Sequence, residues 1–63
     1  MYKILEAKRE EKGYKLEDIA ELINTSTGNY WKKENGLVKF SLDEAIIISR
    51  FFKSRVETLF FKE

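Results

Sequence analysis

The stretch Asp18–Gly36, DIAELINTSTGNYWKKENG, predicts two helices joined by a tight turn. Apolar residues at helical spacing lead into the turn and place one stripe of the first helix in the core: Leu16, Ile19, Ala20 and Ile23. Asn24 tolerates the left-handed conformation that a turn requires, and the following Thr25-Ser26 provides a side chain suited to N-capping. The second helix is predicted from about Thr27 to Asn35, because Gly36 is typical of the position just past a helix C-terminus.

The second helix of this pair has two unlike faces. Only Tyr30 is a clear inward anchor. The opposite stripe is short, polar and basic, and it contains one aromatic residue: Thr27, Gly28, Trp31, Lys32 and Asn35. A helix that turns such a face outward is suited to a groove lined with phosphates.

The length and composition of the chain limit its class. Sixty-three residues predict a single domain, 1–63, with a thin stability margin. The absence of Cys and His leaves neither disulfides nor the usual metal ligands, so tight helix packing or self-association remains as the source of stability. No apolar run approaches the ~20 residues of a membrane span and no signal peptide is present, so the cytoplasm is the default expectation.

Charge is distributed unevenly although the net charge is only +1. The segment from Glu6 to Glu21 contains four basic and six acidic residues. The segment from Thr25 to Lys39 contains three Lys and, as its single acidic residue, Glu34. The basic excess therefore falls on the second helix of the pair and on the loop after it, which weakly favours a nucleic-acid partner there.

Another helix is predicted N-terminal to this pair, over Tyr2–Lys12, and Gly13 ends it. Ile4 and Leu5 are its expected apolar anchors. Arg9 lies one turn beyond Leu5 on the same face, and a charge on a core face needs a partner because an isolated buried charge is costly.

The C-terminal half predicts a loop over Leu37–Ser41 with Phe40 tucked beneath it, followed by two more helices. Ser41 caps the fourth helix, and Glu44 is placed to complete a capping box. The expected inner face of that helix comprises Leu42, Ala45, Ile46, Ile48, Ser49 and Phe52. Ile47 points away from this face and Phe51 lies at its margin. A last helix at about Val56–Phe61 is expected to bury Val56, Leu59 and Phe60, which leaves Phe61 exposed.

Taken in order, these motifs resemble the Cro/CI-type (XRE) family of helix-turn-helix repressors from about Leu5 to Phe61. The matching features are Arg9-x-x-x-Gly13, Ile19-Ala20, Thr25-Ser26, Glu34-Asn35-Gly36, Phe40-Ser41-Leu42-Asp43-Glu44-Ala45 and Val56-Glu57-Thr58-Leu59-Phe60. The resemblance implies an all-α, compact five-helix, lambda-repressor-like DNA-binding domain with the helix-turn-helix at helices 2 and 3. Within the family, the subset Tyr30, Lys32-Lys33-Glu34-Asn35-Gly36 and Phe40 resembles short regulators of Gram-positive phages and mobile elements.

The resemblance implies a partner for Arg9. In this family an Arg at this position forms a largely buried salt bridge with the Glu of Glu-Asn-Gly, here Glu34. The salt bridge ties helix 1 to helix 3, which is the DNA-reading or recognition helix of the family. Lys33 falls on a position that is often apolar and half-buried, so its stem is expected to pack while its ammonium reaches solvent.

The resemblance also implies a set of DNA contacts. Thr27, Gly28 and Lys32 would face the major groove, and Ser26 and Asn29 would border it. Lys32 can bond guanine, and Asn29 can reach adenine if it faces the groove. The residues expected at phosphates are Lys15, Asn35 and Lys39, together with Ser26 at the groove border.

Four residues depart from the family pattern. Leu16 replaces a Gln that helps to fix the first helix of the pair on the DNA backbone, and Lys15 replaces the usual cap. Gly28 removes a base-reading side chain, which lets the backbone approach DNA closely or relaxes specificity. Trp31 stands where a small or polar residue is usual. It is expected to lie flat over a neighbour such as Leu22, with contact to a sugar or a thymine methyl as the alternative.

Two functions are compatible with these features. The first is a transcriptional regulator that binds double-stranded DNA as a weak homodimer on paired half-sites, and repression is the expected mode of regulation. The resemblance places the dimer contact at Phe40, Val56, Phe60 and Phe61. The alternative is a protein-interaction adaptor, antitoxin-like or anti-repressor-binding, with weak DNA readout. An enzyme is not expected, because the sequence has no His, no Cys, no phosphate-binding Gly-rich loop and no acid–base pair, and no cofactor, metal or small-molecule ligand is implied.

Overall fold

The computed structural model describes residues 1–62, which form five helices and no strand. The helices are α1 (Lys3–Glu11), α2 (Leu16–Leu22), α3 (Thr27–Glu34), α4 (Leu42–Phe52) and α5 (Val56–Leu59). The predicted all-α, five-helix architecture is confirmed. None of these helices has the length and apolar composition that crossing a bilayer requires.

Helix α1 buries one narrow face. Gly13 adopts a positive φ of 79° just after α1, a conformation that a residue without Cβ reaches easily, and it ends the helix as predicted. Leu5 and Arg9, four residues apart, are both buried. The expected burial of Ile4 is wrong: its side chain is exposed, because it lies about 100° around the helix from Leu5 and only one of the two can face the core.

The α2–turn–α3 unit follows its local signals. Ile19, Ala20 and Ile23 are buried, and Leu16 packs against the same core. Asn24 takes the left-handed conformation with φ of 56°, which turns the chain between the two helices. The predicted boundaries of α3 are reproduced within one residue.

Helix α4 begins with the predicted capping box. The Ser41 hydroxyl accepts from the Glu44 N–H at 3.1 Å, and a Glu44 carboxylate oxygen accepts from the Ser41 N–H at 3.0 Å. The buried side chains of α4 are Ala45, Ile48, Ser49 and Phe52. Leu42 was expected among them and is instead 72% exposed, because it starts the helix at the edge of the core where no other element covers it.

Aromatic rings close the end of the fold at which the N-terminus, the α3–α4 loop and α5 meet. Helix α5 is shorter than predicted, and Leu59 is its fully buried residue. The Phe60 ring lies 4.9 Å from that of Phe40 and 5.8 Å from that of Tyr2. Phe40 also meets the buried ring of Tyr30 at 6.0 Å. This cluster therefore connects the C-terminal end of the chain to the buried face of α3.

Candidate nucleic-acid interface

The outer face of α3 is open to solvent. Thr27, Gly28, Trp31 and Lys32 are all exposed, and Asn35 at the end of the helix is half-buried. The stripe expected from the sequence is therefore the face that α3 turns away from the core. Its exposed surface combines a hydroxyl, an ammonium, an indole ring and one position without a side chain.

The inner face of α3 is held by more than its aromatic anchor. Tyr30 is fully buried, but Lys33 and Glu34 are also buried, and each is half of an ion pair to another element. Burial raises the pKa of the Tyr30 hydroxyl and the neighbouring Glu34 carboxylate raises it further, so the hydroxyl stays protonated. The inner face thus carries fixed charges that are neutralised in place.

The first ion pair joins α1 to α3. Arg9 Nε donates to Glu34 Oε2 at 2.9 Å, and Arg9 Nη2 donates to Glu34 Oε1 at 3.1 Å. Arg9 Nη1 donates to the carbonyl of Tyr14 at 2.9 Å, and the Tyr2 N–H donates to the backbone carbonyl of Glu34 at 3.0 Å. The hydrogen bond to Glu34 raises the pKa of Arg9 although burial opposes this, so the guanidinium stays charged. The pair expected from the resemblance is present as a two-pronged contact that fixes the C-terminal end of α3.

The second ion pair joins α3 to α4 and corrects an expectation. The Lys33 side chain is only 10% exposed, and its ammonium is paired with a carboxylate and not free in solvent. It donates to both carboxylate oxygens of Glu44, at 2.6 and 2.7 Å. The physical reason is the capping box: the hydrogen bond from the Ser41 N–H holds the Glu44 carboxylate at the start of α4, within reach of the buried Lys33 stem. Helix α3 is therefore tied at the neighbouring residues Glu34 and Lys33 to α1 and α4.

The Glu44 pair makes stability depend on pH. Burial alone would raise the pKa of Glu44, but hydrogen bonds from Lys33 and Ser41 and the Lys33 charge outweigh it and lower that pKa. The folded-state pKa lies below the unfolded-state value of about 4.3. The stabilisation is therefore present above that value and is lost as the pH falls through the folded-state pKa. We expect wild type to be more stable than Glu44→Gln in urea unfolding at pH 7, and this difference in stability to shrink as the pH is lowered. A difference in stability that does not change with pH would contradict this.

Pairing also decides which charges on this side of the molecule are available to a ligand. Glu34 is neutralised by Arg9 and Lys33 by Glu44. Within the described residues no ion pair occupies the ammonium groups of Lys32 or Lys39, and both side chains are exposed. Of the basic excess seen in the sequence, two positive charges on this surface, those of Lys32 and Lys39, therefore remain without a paired carboxylate.

Two side chains that were predicted to contact DNA, those of Asn29 and Ser26, form hydrogen bonds within the helix-turn-helix. The Asn29 amide nitrogen donates to the Thr25 hydroxyl at 2.8 Å, so the half-buried side chain bridges the turn instead of pointing outward. The Ser26 hydroxyl accepts from the Asn29 N–H at 3.1 Å and caps α3. Its own O–H proton remains a donor for an anion placed at the helix N-terminus.

The remaining predicted phosphate ligands lie at the ends of helices. Lys15 is exposed at the N-cap of α2, where its backbone N–H donates to Asp18 Oδ2 at 2.8 Å. Asn35 turns its amide back to the carbonyl of Trp31 at 2.9 Å and closes the end of α3. Gly36 then adopts a positive φ of 81° and leads into the loop that contains Lys39.

Some exposed apolar residues were missed by the sequence analysis. Leu37 is 68% exposed and Val38 is also exposed, in the loop directly after α3. The N-terminal Met1 nitrogen and the Lys62 side chain both lie against Gly36, so this loop starts beside the C-terminal end of the chain. The adjacent apolar pair after Glu34-Asn35-Gly36 was the available signal, because a loop of this length cannot bury both side chains. Trp31, expected to lie flat on its neighbours, is 47% exposed.

Comparison with known proteins identifies the family of the chain. A family model described as helix-turn-helix matches residues 5–59, from Leu5 in α1 to Leu59 at the end of α5. Neither a curated protein nor a solved structure matches the chain. The matched range includes the helix pair, both ion pairs that hold α3 and the outer face of α3.

Proposed function

Because the chain belongs to the helix-turn-helix family of DNA-binding regulators, of the XRE type, we propose that it is a sequence-specific repressor that inserts α3 into the major groove. The family binds double-stranded DNA and is not a family of enzymes. The observation that carries the proposal is the outer face of α3, which is exposed and has an unpaired ammonium, while its inner face is fixed by two ion pairs. A rigid helix with a polar, basic outer face is what base readout requires.

Base readout falls to three residues of this face. Lys32 bonds O6 and N7 of guanine, and the methyl group of Thr27 meets a thymine methyl. Gly28 allows close approach of the helix. Asn29 borders the groove, because its amide is engaged with Thr25 across the turn.

Phosphate contacts surround this centre. Lys15 at the start of α2 and Lys39 in the loop after α3 supply positive charge to the two sides of the groove. The Ser26 hydroxyl and the backbone N–H groups of the first turn of α3 hold a third phosphate, and Asn35 approaches a fourth. Titration into labelled duplex DNA, with the single strand of the same sequence as control, tests this assignment: preference for the duplex is expected, and equal binding of both would contradict it.

A homodimer on paired half-sites completes the proposal. Phe61 is 59% exposed beside the aromatic cluster. The exposed Leu37 and Val38 directly follow Gly36, and the Lys62 side chain lies beside Gly36. We therefore place the twofold contact on Phe61, on the exposed edges of Phe40, Val56 and Phe60, and on this loop. Half-sites are then expected about one helical turn, ~34–36 Å, apart.

Phe61→Glu tests the dimer. A twofold contact uses the same patch on both chains, so each dimer receives the charge twice. We expect loss of dimers in analytical ultracentrifugation and weaker binding to a two-half-site duplex. The melting temperature of the monomer should hardly change, because an exposed substitution typically stays within about 0.5 kcal/mol. Ile47→Glu, on the exposed side of α4, is the matched control. A wild type that remains monomeric at high micromolar concentration, both free and on DNA, would rule out this assembly.

One feature favours the alternative, a protein-interaction adaptor. A groove of about 420 Å³ lies between the α1–α2 loop, α2 and the end of α4. Its lining includes the exposed rings of Tyr14 and Phe51, 5.0 Å apart, and the carboxylates of Asp18 and Glu21. Such a lining fits a basic peptide segment through cation–π and ionic contacts. Binding of a basic peptide in this groove, together with equally weak binding of every DNA duplex, would favour this function over the first.

A further inference from the structure

Gly28 is a helical glycine that the fold does not require. Its φ lies outside the left-handed region, and a Cβ built there would meet nothing within 4 Å among the described residues. Glycine weakens a helix relative to alanine because it loses more backbone freedom on folding. Stability and packing would therefore both accept Ala at this position, which lies on the exposed outer face of α3.

Trp31 is the large side chain that shares the exposed outer face of α3 with Gly28. It lies at i+3 from Gly28 and i+4 from Thr27, and side chains of a helix lean over the turn that precedes them. The indole therefore leans toward the turn that contains Thr27 and Gly28, although no atom of it lies within 4 Å of the place that a Gly28 Cβ would take. It is 47% exposed, and it stands within the patch formed with Thr27, Gly28 and Lys32 rather than at its edge.

We infer that Gly28 and Trp31 act together as a thymine-reading element, in which Gly28 admits the DNA and the Trp31 ring contacts a thymine C5-methyl group. This inference rests on the proposed function and names one base of the site. The thymine methyl is the apolar group that the major groove displays, so an indole in the centre of a groove-facing patch meets it in preference to a sugar at the flank. Burial of the methyl against the ring supplies the selectivity.

The test uses the full chain and a duplex selected by it from random DNA. Each thymine of the duplex is replaced in turn by uracil, which removes only the methyl group. We expect wild type to lose about fourfold in affinity at one position per half-site besides any that the Thr27 methyl contacts, the factor to which ~0.8 kcal/mol per buried methylene-sized group corresponds. Trp31→Ala should bind more weakly and should not distinguish thymine from uracil at that position. Leu42→Ala, which truncates an exposed apolar residue outside α3, should retain the discrimination.

Two further measurements complete the test. Trp31 is the one tryptophan of the chain, so its fluorescence should be quenched by the selected duplex. Gly28→Ala should melt at the same or a higher temperature than wild type and yet bind the duplex more weakly. Quenching without any uracil effect would mean a sugar contact and would overturn the thymine assignment. Undiminished binding by Gly28→Ala would overturn the role of Gly28, with DNA binding itself intact. If no duplex can be selected, the proposed function and this inference both fail.

Discussion

Replacing either Arg9 or Glu34 by alanine is expected to lower the free energy of unfolding by ~3–5 kcal/mol, a large part of the stability of so small a domain. The side chains of Arg9 and Glu34 are 9% and 2% exposed. Removing one of them leaves the other charge buried without its partner, and that cost exceeds the net contribution of the pair itself. Urea unfolding followed by circular dichroism measures the loss.

A double-mutant cycle separates pairing from burial. Arg9→Ala/Glu34→Ala should cost clearly less than the sum of the single changes, because no stranded charge remains. The pair Lys8–Glu11 is the matched control: the two charges are 4.0 Å apart and the side chains are 33% and 69% exposed, so Lys8→Ala should cost no more than ~1 kcal/mol. Strictly additive losses for Arg9 and Glu34 would show that the two residues do not act as a pair.

Lys32→Ala is expected to cost ~1–3 kcal/mol of DNA-binding free energy and to relax the preference at one position per half-site. The reason is local: Lys32 is the exposed cation on the outer face of α3, and no carboxylate within the described residues is paired with it. Anisotropy titrations against the preferred duplex and its single-base variants measure both effects.

Lys39 and Lys12 supply the controls for this prediction. Lys39→Ala should weaken the binding of all duplexes to a similar extent and reduce the slope of log K against log salt by about one unit, as expected for a phosphate contact. Lys12→Ala, at the exposed end of α1, should change neither property. If Lys32→Ala and Lys39→Ala have the same sequence-independent effect, Lys32 does not read a base.

The helix-turn-helix could be predicted from sequence because its signals are local. Gly13, Asn24 and Gly36 adopt positive φ where the chain turns, and at these three positions the residue type indicates it. Lys53 also has a positive φ, of 54°, which its residue type does not indicate. Ser41 and Glu44 are three residues apart, so their capping box also needs no knowledge of the fold. The outer stripe of α3 followed from the helical period once these ends were known.

Contacts between distant residues could not be predicted in the same way. Lys33 and Glu44 are eleven residues apart in different helices, and nothing in the sequence links them before the helices are packed. The Arg9–Glu34 pair, twenty-five residues apart, was anticipated only through the family resemblance. Ile4 and Leu42 were misplaced because the helical period gives the direction of a side chain but not the edge of the core.

Selection of bound duplexes from random-sequence DNA by the full chain tests the central claim most directly. If α3 reads the major groove, repeated rounds should enrich two related half-sites with centres about one helical turn (~34–36 Å) apart. The same selection with Lys32→Ala should give a site that is degenerate at one position of each half. Recovery of sequences no different from the starting pool, at a salt concentration where the wild-type protein still binds DNA, would contradict the account.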